Sequence, residues 1–523
     1  MSELLAALRE VAAARERHVA VRDASRQWTY RELAGQAGSV AAALQASGVR
    51  AGDRVLLSMR PDGPGIAAMW GCWLAGASFV PIEQRAPQPR NLRIAELTGA
   101  RVVLADRPVQ LPGLVTVPGT ATPDPGTAEP APAAGADPGY VLFTSGSTGT
   151  PNGVAVAGGA LLAHCRAVIE FEGLDPELVV SQFHELTFDP PQQYLWSGVL
   201  AGATVVAKPA GTLPPHRFAG FLAEQQVHSV GVATRYLAIL AGAGVLETDP
   251  PPALRALSVG GEALPVGLAQ RFQRSRWAGV QLINYYGPTE GVVAATGYRL
   301  PPGWTPHPAA RSVPVGEPLG TRRIELRPAG DQPGQPEAGE LVVVGQPRAL
   351  GYLGTPDGHR FSGSGDRAEL RTGDLAVYRP GQGYEILGRL DDQVKVAGYR
   401  IDLGEVEHAL RTVPGVADLA VVALRVEFDT SLGACLVAEA GADAGQVLAA
   451  VRQRAAGLLP YQRPSRYLLA DALPLTGNGK ADRTRLAAQL AASPAAPESA
   501  GGSAGAAVPA PLAEAAGEAR WAG

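Results

Sequence analysis

An α/β fold is predicted: largely parallel sheets with crossover helices, divided between one large and one small domain. Three observations lead there. The chain has 523 residues, far more than a single hydrophobic core usually serves. Its apolar runs RVLLSM, RVVLA, YVLF, ATVVA, LVVVG and LAVVAL are short and β-branched, as strands covered on both faces are. Helical-period stretches such as ELAGQAGSVAAALQASG separate several of them, and that alternation is the pattern of βαβ units.

Along the chain, the first thirty residues carry charges throughout and contain no apolar segment ending in a small-residue cleavage site, so no secretory signal is read. A cytoplasmic protein is expected. Gly65 to Ile82, GIAAMWGCWLAGASFVPI, is uncharged and long enough to be tested as a membrane span. Gly71, Gly76, Ser78 and the Val80-Pro81 pair instead suit a buried helix, a tight turn and a short strand. The stretch from Val117 to Pro138 is rich in Pro, Gly, Thr and Ala and reads as a surface connection. Beyond Leu486 large apolar residues become rare, and residues 488–523 read as a disordered tail.

Bulk charge narrows the partners. Lys and Arg number 45 against 49 Asp and Glu, a net charge of −4. That balance leaves no electrostatic footprint for nucleic acid or an anionic membrane. Cys72, Cys165 and Cys435 are far apart and show no metal-ligand spacing, which argues against a disulfide framework or structural zinc.

The sharpest chemical feature is YVLFTSGSTGTPNGV, residues 140–154. A β-type run leads into a turn in which Gly146, Gly149 and Gly153 let the backbone approach a ligand. Thr144, Ser145, Ser147 and Thr148 can donate to phosphate oxygens. It is not a Walker loop, and a flexible Ser/Gly linker would look similar. The decision comes from its company. In order the chain shows TYREL (29–33), LAGASFVPIE (74–83), FTSGSTGTPNGV (143–154), FDPPQQYLW (188–196), NYYGPTE (284–290), GELVVVGQPRALGYL (339–353), RTGDLA (371–376), GRLDDQVKVAGYRIDLGEVE (388–407) and LPLTGNGKADR (473–483). This ordered set resembles the nonribosomal peptide synthetase adenylation domain, of the superfamily that also holds acyl-CoA synthetases and firefly luciferase.

The resemblance implies ATP-dependent activation of an amino acid as its aminoacyl adenylate. Tyr286 would stack on adenine, Thr289 would contact the α-phosphate, and Glu290 would hold Mg²⁺, a hard cation suited to carboxylate oxygen. Gly260, Gly261 and Glu262 resemble the segment bordering the adenine, although a plain strand-to-loop turn would read the same. Asp374 would accept from both ribose hydroxyls, with Arg389 at the ribose or phosphate. Lys480 resembles the catalytic lysine that bridges substrate carboxylate and α-phosphate. The reaction then needs position and charge rather than a covalent nucleophile. By the same resemblance residues 1–388 form the large N-terminal domain, 389–391 a hinge centred on Asp391, and 392–487 a smaller, mobile α+β C-terminal lid domain that brings Lys395 and Gly398 to the site after rotation.

Asp189 stands where amino-acid-activating members pair with the substrate's α-ammonium. By motif alignment Asp189, Pro190, Gln193, Gly231, Ser258, Gly260, Tyr285, Val293 and Ala294 would line the pocket, closed by Lys480. No second charge stands among the lining residues, so a neutral substrate is expected, with Gln193 or Ser258 available to a polar group. Asn152 departs from the pattern, because the family's phosphate loop usually has lysine there. With no carrier segment after the lysine motif and no condensation domain before, a free-standing enzyme is expected that loads a phosphopantetheine thiol on a separate carrier protein, with or without a small helper protein; an excised domain of a larger synthetase would look nearly the same. An acyl- or aryl-CoA ligase of the same superfamily, or a non-catalytic adenylate-binding or carrier-docking protein, are the alternatives.

Overall fold

The computed structural model describes residues 2–83, 86, 88–120, 137–144, 152–209, 211, 213–310, 312–329, 337–354, 360–391, 393–396, 399–426, 429–475 and 481–492. Among the described residues two compact units are present, one drawn from 1–143 and 153–390, the other from Thr144, Asn152 and Asp391 to Ala492.

The larger unit is a mixed α/β body with three sheets. In the nine-stranded sheet, Val19–Arg22, Thr204–Val206, Val179–Gln182, Ser229–Ala233, Ala256–Gly260 and Gln281–Tyr286 run parallel, and antiparallel strands finish each edge. The seven-stranded sheet is parallel through Val115–Pro118, Val102–Ala105, Arg54–Ser58, Ser78–Pro81 and Tyr140–Thr144. The five-stranded sheet corrects one expectation. The LVVV of LVVVG ends the strand Gly339–Val344, which pairs antiparallel with Arg323–Arg327 and Glu369–Arg379. Only residues 328–338 separate it in sequence from Arg323–Arg327, fewer than the dozen or more that a parallel crossover requires.

Local chemistry explains the helices that carry these sheets. Tyr30–Ala46 starts with a reciprocal capping box between Thr29 and Glu32, and Leu33, Ala37, Val40 and Leu44 face the core at helical spacing. The apolar stretch tested as a membrane span resolves into the buried helix Gly63–Leu74, a turn with Gly76 at φ 79°, and the strand Ser78–Pro81. Gly71 is needed for close packing: a Cβ there would lie 2.7 Å from Val40 and 2.8 Å from the Ala37 carbonyl. Among the described residues no helix is long and apolar enough to cross a membrane.

The smaller unit contains the hairpin Gln393–Val396/Tyr399–Asp402 and a three-stranded sheet of Val416–Val426, Asp429–Ala438 and Pro464–Leu469. Leu403–Arg411, Ala444–Ala456 and Arg483–Ala492 are its helices. The last of these corrects the expected start of the tail. Residues 488–492 continue the helix because Leu486 and Leu490, one turn apart, pack with Leu424, Cys435 and Leu473. The rest of the expected tail, and most of the 117–138 connection, lie outside the described residues.

Candidate functional site

Strand register brings the pocket candidates together on one face of the nine-stranded sheet. Gly231 pairs with Ser258 and Ser258 with Ile283, while Ala233 pairs with Gly260 in the next row. Side chains alternate along a strand, so Ser229, Gly231, Ser258, Gly260 and Tyr285 share this face. Val230, Val232, Leu257 and Val259 point the other way into a separate apolar core. The helix Pro190–Leu200 contributes Asp189 at its N-cap, then Pro190 and Gln193. The Asp189 side chain makes no capping bond to its own helix. It lies close enough to Tyr140 that, after burial, its charge helps to push that phenol well up.

Two expected pocket polar groups are taken up internally. Gln193 is 1% exposed, and its Oε1 accepts from His164 Nε2 at 3.0 Å. Burial lowers the His164 pKa to about 3, so its imidazole is neutral. Ser258 is fully buried, and its Oγ lies 2.8 Å from Tyr194 Oη. Nor is the surroundings' charge limited to Asp189. Tyr285 Oη donates at 2.8 Å to Glu172, whose other oxygen accepts from Ser229 Oγ at 2.8 Å. Burial raises the Glu172 pKa against the pull of those two hydrogen bonds.

A second cluster lies at the strand end beyond Tyr286. Asp374 and Arg389 face one another across paired strands. Asp374 Oδ1 accepts from Arg389 Nη1 at 2.9 Å, and Oδ2 accepts from Tyr286 Oη at 2.5 Å. Arg389 also donates to the Thr372 carbonyl at 3.1 Å, and Thr372 Oγ1 accepts from the Asp374 amide at 3.0 Å. Burial, and then the Asp374 carboxylate, keep the Tyr286 phenol protonated as a donor. Each carboxylate oxygen retains a lone pair beyond these bonds. Gly261, at φ 83°, follows Gly260, and Thr234 Oγ1 ties the Gly260 and Glu262 carbonyls at 3.3 Å each.

Thr289 and Glu290 form a short 3-10 turn after Pro288. Glu290 is 1% exposed, and its Oε1 accepts from Tyr352 Oη at 2.5 Å. Tyr352 pairs with Val154 on the strand leaving the glycine-rich loop. Val292 and Val293 follow at φ 59° and 63°, a region β-branched residues avoid. Arg322, 3% exposed, holds this bend: Nη2 donates to the Gly291 carbonyl at 2.8 Å and Nε to the Pro347 carbonyl at 3.0 Å. Burial lowers its pKa to about 9, which leaves it charged at neutral pH.

In the loop itself, Thr144 Oγ1 donates to the Asn152 carbonyl at 3.5 Å. Ser145, Gly146, Ser147, Thr148, Gly149, Gly398 and Lys480 lie outside the described residues. Asp391 accepts from the Gln393 amide at 3.2 Å, and Lys395 sits on the Gln393–Val396 strand. His164, Glu172, Tyr194, Arg322 and Tyr352 escaped the sequence reading. Their roles depend on packing between distant segments, which no local motif signals.

Comparison with known proteins identifies the family. The AMP-binding enzyme family model matches residues 8–353, and the AMP-binding enzyme C-terminal domain model matches residues 405–480. Novobiocin biosynthesis protein H of Streptomyces niveus is 33% identical over 88% of this chain and 78% of its own length. Phenyloxazoline synthase MbtB of Mycobacterium tuberculosis is 34% identical over 88% of this chain, which spans only 33% of that relative. The structure of holo-PA1221, an NRPS protein containing adenylation and PCP domains, superposes with a TM-score of 0.79 at 26% identity, covering 92% of this chain and 83% of the other.

The chain belongs to the AMP-binding enzyme family, as an AMP-forming ligase that uses ATP to activate a carboxylic acid. Within that family it is an adenylation domain of the nonribosomal peptide synthetase type.

Proposed function

We propose that the acid activated is a neutral amino acid, and that its aminoacyl group passes to the phosphopantetheine thiol of a carrier protein. The observation that carries the amino-acid reading is Asp189: a carboxylate at the N-cap of a largely buried helix, whose neighbouring strands gather Gly231, Ser258 and Gly260 on one face. An α-ammonium would meet its counter-charge there, whereas a deaminated acid would leave the carboxylate without that partner. The carrier reading is supported by the likeness to a protein that contains adenylation and PCP domains.

Tyr286, Asp374 and Arg389 would receive the nucleoside, with the ribose hydroxyls donating to the lone pairs left on Asp374. Glu290 would hold Mg²⁺ together with the nucleotide phosphates. Among the described residues no group of three or more His, Cys, Asp or Glu side chains could hold a metal ion, and magnesium commonly arrives with nucleotide phosphates on only one or two carboxylates. Bound there, the ion would neutralise charge on the departing pyrophosphate. The substrate carboxylate attacks the α-phosphorus, Thr289 orients the phosphate, and Lys480 offsets the growing negative charge. The glycine-rich loop 144–149 would cradle the phosphates with backbone donors, compensating for Asn152. Rotation about Asp391 would then exchange Lys480 for Lys395 and Gly398.

Hydroxylamine trapping of the adenylate tests the amine requirement. Hydroxamate should form from one amino acid and not from its deaminated analogue, and Asp189→Ala should lose most of the product. Equal trapping of the deaminated acid by the unaltered protein would instead favour an acyl- or aryl-acid ligase.

A further inference from the structure

Resting on the reading of this face as an amino-acid pocket, we propose that Tyr194 sets the size of the substrate and that the amino acid activated carries a side chain no larger than that of glycine or alanine. Tyr194 follows Gln193 on the Pro190–Leu200 helix, and its ring occupies the space in front of the strands where a side chain reaching Gly231 and Ser258 would lie. A Cβ built on Gly231 would stand 2.2 to 2.7 Å from three atoms of that ring. The ring therefore rests directly on the Gly231 backbone, with no room between them for any other group.

The position is fixed from several sides. The phenol is 2.8 Å from Ser258 Oγ, which also lies 3.4 Å from the Val230 carbonyl. The His184 ring stacks on the phenol ring with centroids 6.0 Å apart and planes 5° from parallel. Tyr194 is itself 8% exposed while Ser258 is fully buried, so the tyrosine seals the serine off. With Gln193 turned onto His164, neither expected polar partner extends the pocket. A branched or aromatic substrate side chain would have to displace the tyrosine, breaking its hydrogen bond and its stack. A methyl group or a hydrogen would not.

The test compares binding of aminoacyl sulfamoyl-adenosines, non-reacting adenylate mimics, by titration calorimetry on the full chain, with AMP as reference. Glycyl and alanyl analogues should bind about 100-fold more tightly than leucyl and phenylalanyl analogues. Tyr194→Ala should erase most of that difference by admitting the larger analogues, and Tyr194→Phe, which keeps the ring, should preserve it. Tyr194→Leu replaces Tyr194→Ala if the latter does not fold. Leucyl or phenylalanyl analogues binding as tightly as glycyl to the unaltered protein would overturn the proposal, as would an unchanged preference in the alanine or leucine variant. Those outcomes leave the adenylation reading standing. Failure of every aminoacyl analogue and of AMP to bind would remove that reading and the proposal together.

Discussion

Replacing Arg322 with methionine isolates the cation that holds the Glu290–Ala294 bend. The guanidinium is 3% exposed and makes close bonds to the Gly291 and Pro347 carbonyls, at 2.8 and 3.0 Å, with longer ones to Val292 and Leu319 at 3.4 and 3.5 Å. Each buried carbonyl left without a donor costs about 1–3 kcal/mol. Methionine fills most of the volume and removes a charge that was itself desolvated, which offsets part of that loss. A net destabilisation of about 3 kcal/mol is expected, a fall of roughly 4 °C in Tm for a unit of this size. Activity should suffer more than stability suggests. Val292 and Val293 sit at φ 59° and 63°, conformations that cost about 1–3 kcal/mol each unless surrounding structure enforces them. Released, the bend would carry Glu290, Val293 and Ala294 away from their positions. Calorimetry and ATP–pyrophosphate exchange read the two effects: kcat should fall by more than about 10-fold and the amino-acid KM should rise, because displacements near 1 Å are costly to catalysis. Arg322→Lys, with fewer donors, should be intermediate. An unchanged Tm together with unchanged exchange in Arg322→Met would refute the reasoning.

Two further outcomes follow from the same geometry. Asp374→Asn keeps one acceptor oxygen but loses the ion pair to Arg389 at 2.9 Å, so the KM for ATP should rise about 10- to 100-fold with little change in the amino-acid KM, measured by exchange kinetics. His164 is buried with its pKa lowered to about 3. The unfolded imidazole takes up a proton below about 6.5 and the folded one does not, so stability present above that pH is lost as pH falls toward 3, by up to about 1.4 kcal/mol per pH unit. Urea titrations from pH 7 to 4 should show a shallower acid loss in His164→Gln; an identical slope would mean that His164 is not buried neutral.

Short-range signals were the legible ones. TYREL contains the Thr29 and Glu32 pair that caps its helix, and the glycines and closing Val-Pro of Gly65 to Ile82 resolve as helix, turn and strand. Where pairing partner decides the outcome, sequence was less informative: LVVVG has the composition of a parallel strand and sits in an antiparallel sheet. The site divides the same way. Asp189, Glu290 and Asp374 are candidates because of the motifs around them. Arg322 and Arg323 look alike in TRRIEL, yet the first is buried and the second exposed. Tyr194 could not be weighed because its meaning depends on Gly231 and Ser258, brought to it only by the packing of helix on sheet.

The most direct measurement is amino-acid-dependent ATP–pyrophosphate exchange across glycine, alanine and a panel of larger amino acids, with Asp189→Ala and Lys480→Ala as controls. Exchange with one neutral amino acid, abolished or nearly so in both variants, is the expected result. Exchange that proceeds equally without an amino acid, or that survives both substitutions, would contradict the assignment of this site to amino-acid activation.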